Sequence, residues 1–205
     1  MQEVNLTLEG IGKKFYQRWL FRSISSSFQK QGKLALVGSN GSGKSTLMRI
    51  IAGQMSPSEG KLILEVNGKK VLANEMYNYI SWNGPYIETY LDLSLAEQLD
   101  LHFSWKNCLL PSIDEVIDHL NLRPHKDKRL RYFSSGMLQR AMVGMTLLSD
   151  TPILLLDEPT SFMDEDNAAM ILEMINRFAD NRIFILASNM HREFGEFEKV
   201  IRLGG

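Results

Sequence analysis

"KLALVGSNGSGKSTLMRIIAG", Lys33 to Gly53, decides the fold. It opens on apolar residues of strand character, crosses three closely spaced glycines and runs into a helical pattern closed by Gly53. "GSNGSGKST", Gly38 to Thr46, fits the phosphate-loop pattern G-x-x-x-x-G-K-[ST] with a strand before and a helix after. Gly38, Gly41 and Gly43 let the backbone wrap closely around a polyphosphate. The N–H groups of Ser39, Asn40, Ser42 and the helix start, with Thr46 beside them, then face anionic oxygens. Lys44 supplies a positive charge at the β- and γ-phosphates, and Ser45 a hydroxyl for magnesium.

Outward from that stretch, "VNLTL" alternates as a half-buried strand does, and "SISSSF" reads as another. "GKLILEVNGKKV" predicts a hairpin turning at Asn67-Gly68, and "NYISW" a short strand. The texture then becomes helical, in "SLAEQLDLHF", "SIDEVIDHL" and "SSGMLQRAMVGMTLLS". Buried strands return in "PILLLD" and "RIFILAS", with the helix "DEDNAAMILEMINRF" between them. Such continuous apolar strands pair in parallel, in a sheet covered on both faces. The expected class is α/β: a phosphate-loop nucleoside-triphosphatase core with a mostly parallel sheet, an N-terminal antiparallel β subdomain and an inserted α-helical subdomain. One domain is expected over 1–205, its core at about 1–86 and 150–205 and its helical subdomain at about 87–149.

"ILLLDEPT", residues 153 to 160, ends a buried strand in two carboxylates. A carboxylate at the end of a core strand faces the ligand crevice of such sheets. Asp157 is read as the magnesium holder, through a water, and Glu158 as the group that polarises an attacking water. "RYFSSGMLQR", residues 131 to 140, opens a second helix with bare N–H groups behind two serines and a glycine, another anion-binding start.

Bulk composition bounds the rest. The chain has 205 residues and a formal net charge of −1, so no basic excess points to nucleic acid. Its one cysteine, Cys108, rules out an internal disulfide and fits a reducing compartment. "MQEVNLTLEG" has neither basic head nor apolar run, so no export signal is expected, and no apolar stretch approaches a membrane span.

Taken together these motifs resemble the ATP-binding cassette family, over essentially the whole chain and in the family's order: "GSNGSGKST", "YFSSGMLQR", "ILLLDEPT", then "SFMD" from Ser161 to Asp164. The resemblance implies ATP and magnesium as cofactors and ATP hydrolysis as the reaction. It also implies two cassettes packed head to tail, a homodimer or a dimer with a related chain. The signature, Ser134, Ser135, Gly136 and Met137, would cover the γ-phosphate of the partner's ATP, with the Ser134 hydroxyl and the Gly136 N–H pointing at it. Ser161 and Asp164 fall in the loop after the second motif, and Phe15, or Tyr16 beside it, falls where the family stacks an aromatic on adenine.

Several positions depart from the family pattern. Ser135 replaces the usual glycine and Met137 the usual glutamine, both leaving backbone donors in place. "SWNGPYIE" lacks the glutamine that touches magnesium; Asn83 is the nearest amide. Asn189 stands where a histidine normally contacts the γ-phosphate, with His191 two residues on. An amide donates a hydrogen bond but carries no proton or charge, so slow hydrolysis is expected. The family reading makes the chain the ATPase subunit of a membrane transporter. It would lie on the inner face of the cell membrane, held by a separate permease that docks near "WNGPYIETYLDLSL" through Tyr86, Tyr90 and Leu91. In length it resembles the compact haem-export members. The rivals are a soluble cassette ATPase, as in iron–sulfur cluster assembly, and a nucleotide-gated clamp.

Overall fold

The computed structural model describes residues 3–84, 89–161, 163–189 and 195–204. Three strands open the chain: β1 (Val4–Phe15), β2 (Arg18–Gln29) and β3 (Gly32–Val37). The helix α1 (Lys44–Ile51) follows, then β4 (Glu59–Val66), β5 (Lys69–Lys70), a short 3₁₀ turn (Ala73–Asn78) and β6 (Ile80–Asn83). Next come the helices α2 (Leu95–Trp105), α3 (Ile113–His119) and α4 (Ser135–Leu148). The chain returns through β7 (Ile153–Asp157), α5 (Glu165–Phe178), β8 (Ile183–Ala187) and β9 (Lys199–Arg202).

Two sheets result. The antiparallel one has the order β2-β1-β4-β5 and the parallel one β6-β7-β8-β3-β9. Asn67 and Gly68 both take positive φ, 51° and 74°, the geometry of the tight hairpin turn that joins β4 to β5.

The central strands β7, up to Asp157, and β8 are apolar at every position because both faces are buried. Ile153 and Leu155 of β7 and Ile183 and Ile185 of β8 pack with Leu47, Met48, Ile50 and Ile51 of α1 and with Leu6, Leu8 and Leu64 of the antiparallel sheet. Leu154, Leu156, Phe184 and Leu186 face the other way, onto α4 and α5. The result is three layers: antiparallel sheet with α1, parallel sheet, and α4 with α5.

The helices start where the serines and aspartate stand. Ser94 caps α2 and exchanges bonds with Glu97 in a capping box, while Ser112, Ser134 and Asp164 cap α3, α4 and α5. Among the elements that escaped the sequence reading are β9 and the 3₁₀ turn before β6. β9 runs parallel to β3 at the sheet edge, with Leu34 level with Lys199 and Val37 with Arg202. The 3₁₀ turn at Ala73–Asn78 leads into β6.

Candidate functional site

Parallel pairing of β3, β7 and β8 brings the carboxyl ends of these strands to one edge. The loop Gly38–Gly43, the pair Asp157–Glu158 and the segment Ser188–Asn189 therefore meet there. The loop needs glycine for a specific reason. A Cβ on Gly38 would lie 2.3 Å from Leu203 O and 2.6 Å from Ser42 Oγ. Gly43 has φ +102°, and a Cβ on it would lie 2.9 Å from Leu20 and Phe21 of β2. So β2 and the segment after β9 wall the loop from two sides. Ser39, Asn40 and Gly41 are exposed at its crest, with Ser42 N donating to Ser39 O at 3.1 Å. Ser45 and Thr46 are partly buried in the first turn of α1.

Lys44 is buried, and its Nζ donates to Gly38 O at 2.7 Å, while Glu158 Oε1 lies 4.0 Å away. The cation thus bridges the loop and the carboxylate. Asp157 is buried at the end of β7. Burial pushes its carboxyl above the usual range, opposed by a hydrogen bond with the Ser45 side chain and by the Lys44 charge, and reinforced by Glu158. Asp157 Oδ2 is buried without a hydrogen-bond partner among the described residues. An orphaned carboxylate oxygen beside a serine hydroxyl and a phosphate loop suits magnesium, which takes one or two protein oxygens and completes its shell with water and phosphate.

Glu158 takes φ 47°, a left-handed conformation that costs a non-glycine residue about 1–2 kcal/mol. Its N–H donates to Ala187 O at 2.8 Å, and its carbonyl accepts from Ser161 N at 3.1 Å. This fixed turn swings the side chain out of the strand line. Ser188 Oγ donates to Glu158 Oε2 at 3.2 Å. Ser188 was missed by sequence reading; a lone serine after a buried strand carries no signal until its partner is known. Asn189 Oδ1 accepts from Gly38 N at 3.2 Å, which leaves the amide Nδ2 as the donor toward the crevice.

Asn83 ends β6 level with Leu156. Trp82 packs in the α1-side cluster with Leu155, so alternation turns Asn83 to the α4 face, away from Asp157. His191, Tyr86 and Phe162 lie outside the described residues.

Phe15 is half-exposed at the end of β1, with Lys13 Nζ 5.4 Å from its ring centroid, whereas Tyr16 takes φ 54° in the turn and is fully exposed. Phe15 therefore offers the strand-held ring.

The signature segment begins α4, which packs against the opposite face of the parallel sheet from α1. Ser134 caps α4, its Oγ accepting from Met137 N at 3.2 Å. Accepting uses a lone pair and keeps the O–H available as a donor. Ser134 and Ser135 are exposed, Gly136 and Met137 half-buried, and no acidic residue lies in the first turn of α4. The positive helix end is left uncompensated. Asp164 Oδ1 caps α5 at Asn167 N, 2.8 Å, and Met163 N donates to Thr160 O, so Met163 and Asp164 lie between Glu158 and α5.

The family model described as "ABC transporter" matches residues 21–161, more than half of the chain. The chain belongs to the ABC transporter family. This ABC ATPase is 30% identical, over 82% of its length and 66% of the relative's, to the petrobactin import ATP-binding protein of Bacillus anthracis. It is 28% identical, over 94% of its own length and 91% of the other's, to the cytochrome c biogenesis ATP-binding export protein of Agrobacterium fabrum. In fold it superposes on the ATP-binding subunit of an ABC transporter with a TM-score of 0.80, at 21% identity, over 97% of this chain and 85% of that one. It is a nucleotide-binding, ATP-hydrolysing cassette of that family. No helix among the described residues is long and apolar enough to cross a membrane.

Proposed function

We propose that this ABC ATPase powers a separate membrane permease by closing, on ATP binding, into a dimer with a second copy or a related cassette. One observation carries the proposal. The start of α4 is an exposed, uncompensated helix end with a spare hydroxyl on Ser134, on a helix that packs against the opposite face of the parallel sheet from α1. Such a half-site is completed when a second chain brings a polyphosphate to it.

In each half of the dimer Gly38–Thr46 would cradle the phosphates, with Lys44 moving from Gly38 O onto them. Ser45 and Asp157 would hold magnesium, which supplies neutralising charge to the phosphoryl group when bound. Glu158, steered by its left-handed turn and by Ser188, would polarise the attacking water. The bond to the terminal phosphorus forms from that water, and the bridging oxygen leaves with ADP. Asn189 donates to the γ-phosphate without a charge, and no described amide replaces the glutamine, so turnover is slow. Phe15 is the adenine platform.

The permease surface is proposed around Tyr90 and Leu91, both exposed. Leu101 and Trp105, one turn apart on α2, are also exposed, as is Tyr77, whose carbonyl holds Lys106 beside Trp105. Location at the inner face of the cell membrane follows from that docking, and no nucleic acid is involved. The relatives include an import and an export component, so direction and cargo are assigned to the permease.

The test is light scattering on a sizing column. Glu158→Gln with ATP and magnesium should elute as a dimer and with ADP as a monomer. A monomer at saturating ATP would overturn the proposal.

A further inference from the structure

The second turn of α4 reaches back to the catalytic loop of its own chain. Gln139 Nε2 donates to Pro159 O at 3.4 Å, the carbonyl immediately after Glu158. Arg140 Nη1 donates to Asn167 Oδ1 in the first turn of α5. The Asn167 backbone N–H is in turn held by Asp164. Two side chains from the signature helix thus grip the segment from Glu158 to Asn167 at both ends.

The grip on Asn167 is an unusual choice for stability. Arg140 Nε is buried and has no partner among the described residues. Burial holds its guanidinium below the usual range, while the Asp164 charge opposes that. Yet the acceptor is a neutral amide, and Asp164 spends its Oδ1 on the helix cap. A carboxylate acceptor would bind the guanidinium more strongly. A neutral acceptor therefore holds this cation less tightly than an ion pair would, which leaves the contact between α4 and α5 adjustable.

We propose that Gln139 and Arg140 are positioning residues that couple the two nucleotide sites of the dimer. Through them, a signature engaged on the partner's nucleotide sets the loop that carries Glu158 over the chain's own nucleotide. This rests on the dimer reading above. Rigid-body transmission is short: Ser134, Gln139 and Arg140 share the first two turns of one helix, so a displacement at its start arrives at Pro159 and Asn167 without passing through the core.

The test compares Arg140→Ala, Asn167→Ala and the double variant by steady-state ATPase against ATP concentration, with fluorescent-nucleotide binding to the monomer without magnesium. Asn167→Ala spares the helix cap, which uses a backbone N–H, and so serves if Arg140→Ala does not fold. Each single variant should lose about fivefold in kcat, and the double no more than the worse single, because partners in one contact are non-additive. The Hill coefficient should fall from above unity to about one, with monomer nucleotide affinity unchanged. A wild-type coefficient of one, kcat and cooperativity preserved in the variants, or losses that multiply in the double would each overturn the coupling. The Glu158→Gln parent is assayed for ATP-driven dimerisation alongside. A parent that stays monomeric overturns the dimer reading itself, whereas a dimeric parent with cooperative variants overturns the coupling alone.

Discussion

The chain carries two helix starts proposed to bind anions, and they are built oppositely. The loop before α1 is walled by β2 and by the segment after β9, holds a buried lysine and adjoins an orphaned carboxylate oxygen. The start of α4 is bare: two exposed serines, no acid in the first turn, and one cap. The first site stores its charges inside one chain, where they are costly until a ligand arrives. The second stores nothing and costs nothing. On the proposed reading, the difference separates the site that holds the nucleotide alone from the one that acts only on contact.

The sharpest way to break this contrast is Ser134→Arg. It should cut turnover by about a hundredfold, the scale for removing a donor from a preorganised anion site, and abolish the ATP-bound dimer of the Glu158→Gln protein. Nucleotide affinity of the monomer should stay unchanged, measured by fluorescent-nucleotide titration. If monomer affinity collapses with it, the two starts are not separable.

A smaller effect is expected inside the crevice. Asn189→Ala removes a neutral donor and the acceptor for Gly38 N. Turnover should fall about tenfold, consistent with one hydrogen bond of about 1.4 kcal/mol. Steady-state rates equal to wild type would remove Asn189 from the site.

The smallest effect is on stability and concerns the stored charge. Asp157 has a folded pKa raised by burial. A raised carboxylate contributes stability below the ordinary carboxylate range and loses it as pH rises through the folded value. At neutral pH without ligand the Asp157 charge therefore destabilises the fold. Asp157→Asn should raise Tm by about 2–4 °C at neutral pH, the gain shrinking as pH falls below the carboxylate range, while the stabilisation by magnesium with ATP disappears. Thermal melts across pH, with and without magnesium and ATP, give both readings.

Much of this arrangement was legible in the residues. A phosphate loop must be glycines, lysine and serine between strand and helix, because backbone approach and charge leave few substitutes. Asn67-Gly68 announced its hairpin because few residue pairs accept two positive φ values. The α4 start was legible from its serines. What stayed hidden was non-local. "KVIR" is four residues at a sheet edge, too short to show a period. Ser188 and the pair Arg140–Asn167 acquire meaning only when distant segments meet. The orientation of Asn83 depends on register with β7, which no single strand encodes. The choice between Phe15 and Tyr16 rested on which of them the hairpin turn claims.

The carbonyl of Leu203 stands where a side chain on Gly38 would go, and Leu203 N donates to Val37 O at 2.8 Å. The segment that backs the loop is therefore made long after the loop itself, at residue 203 against residue 38. A nascent chain that has already made every glycine, lysine and carboxylate of the crevice still lacks the wall behind its first glycine. The phosphate loop is therefore fully walled only once this later segment has been made.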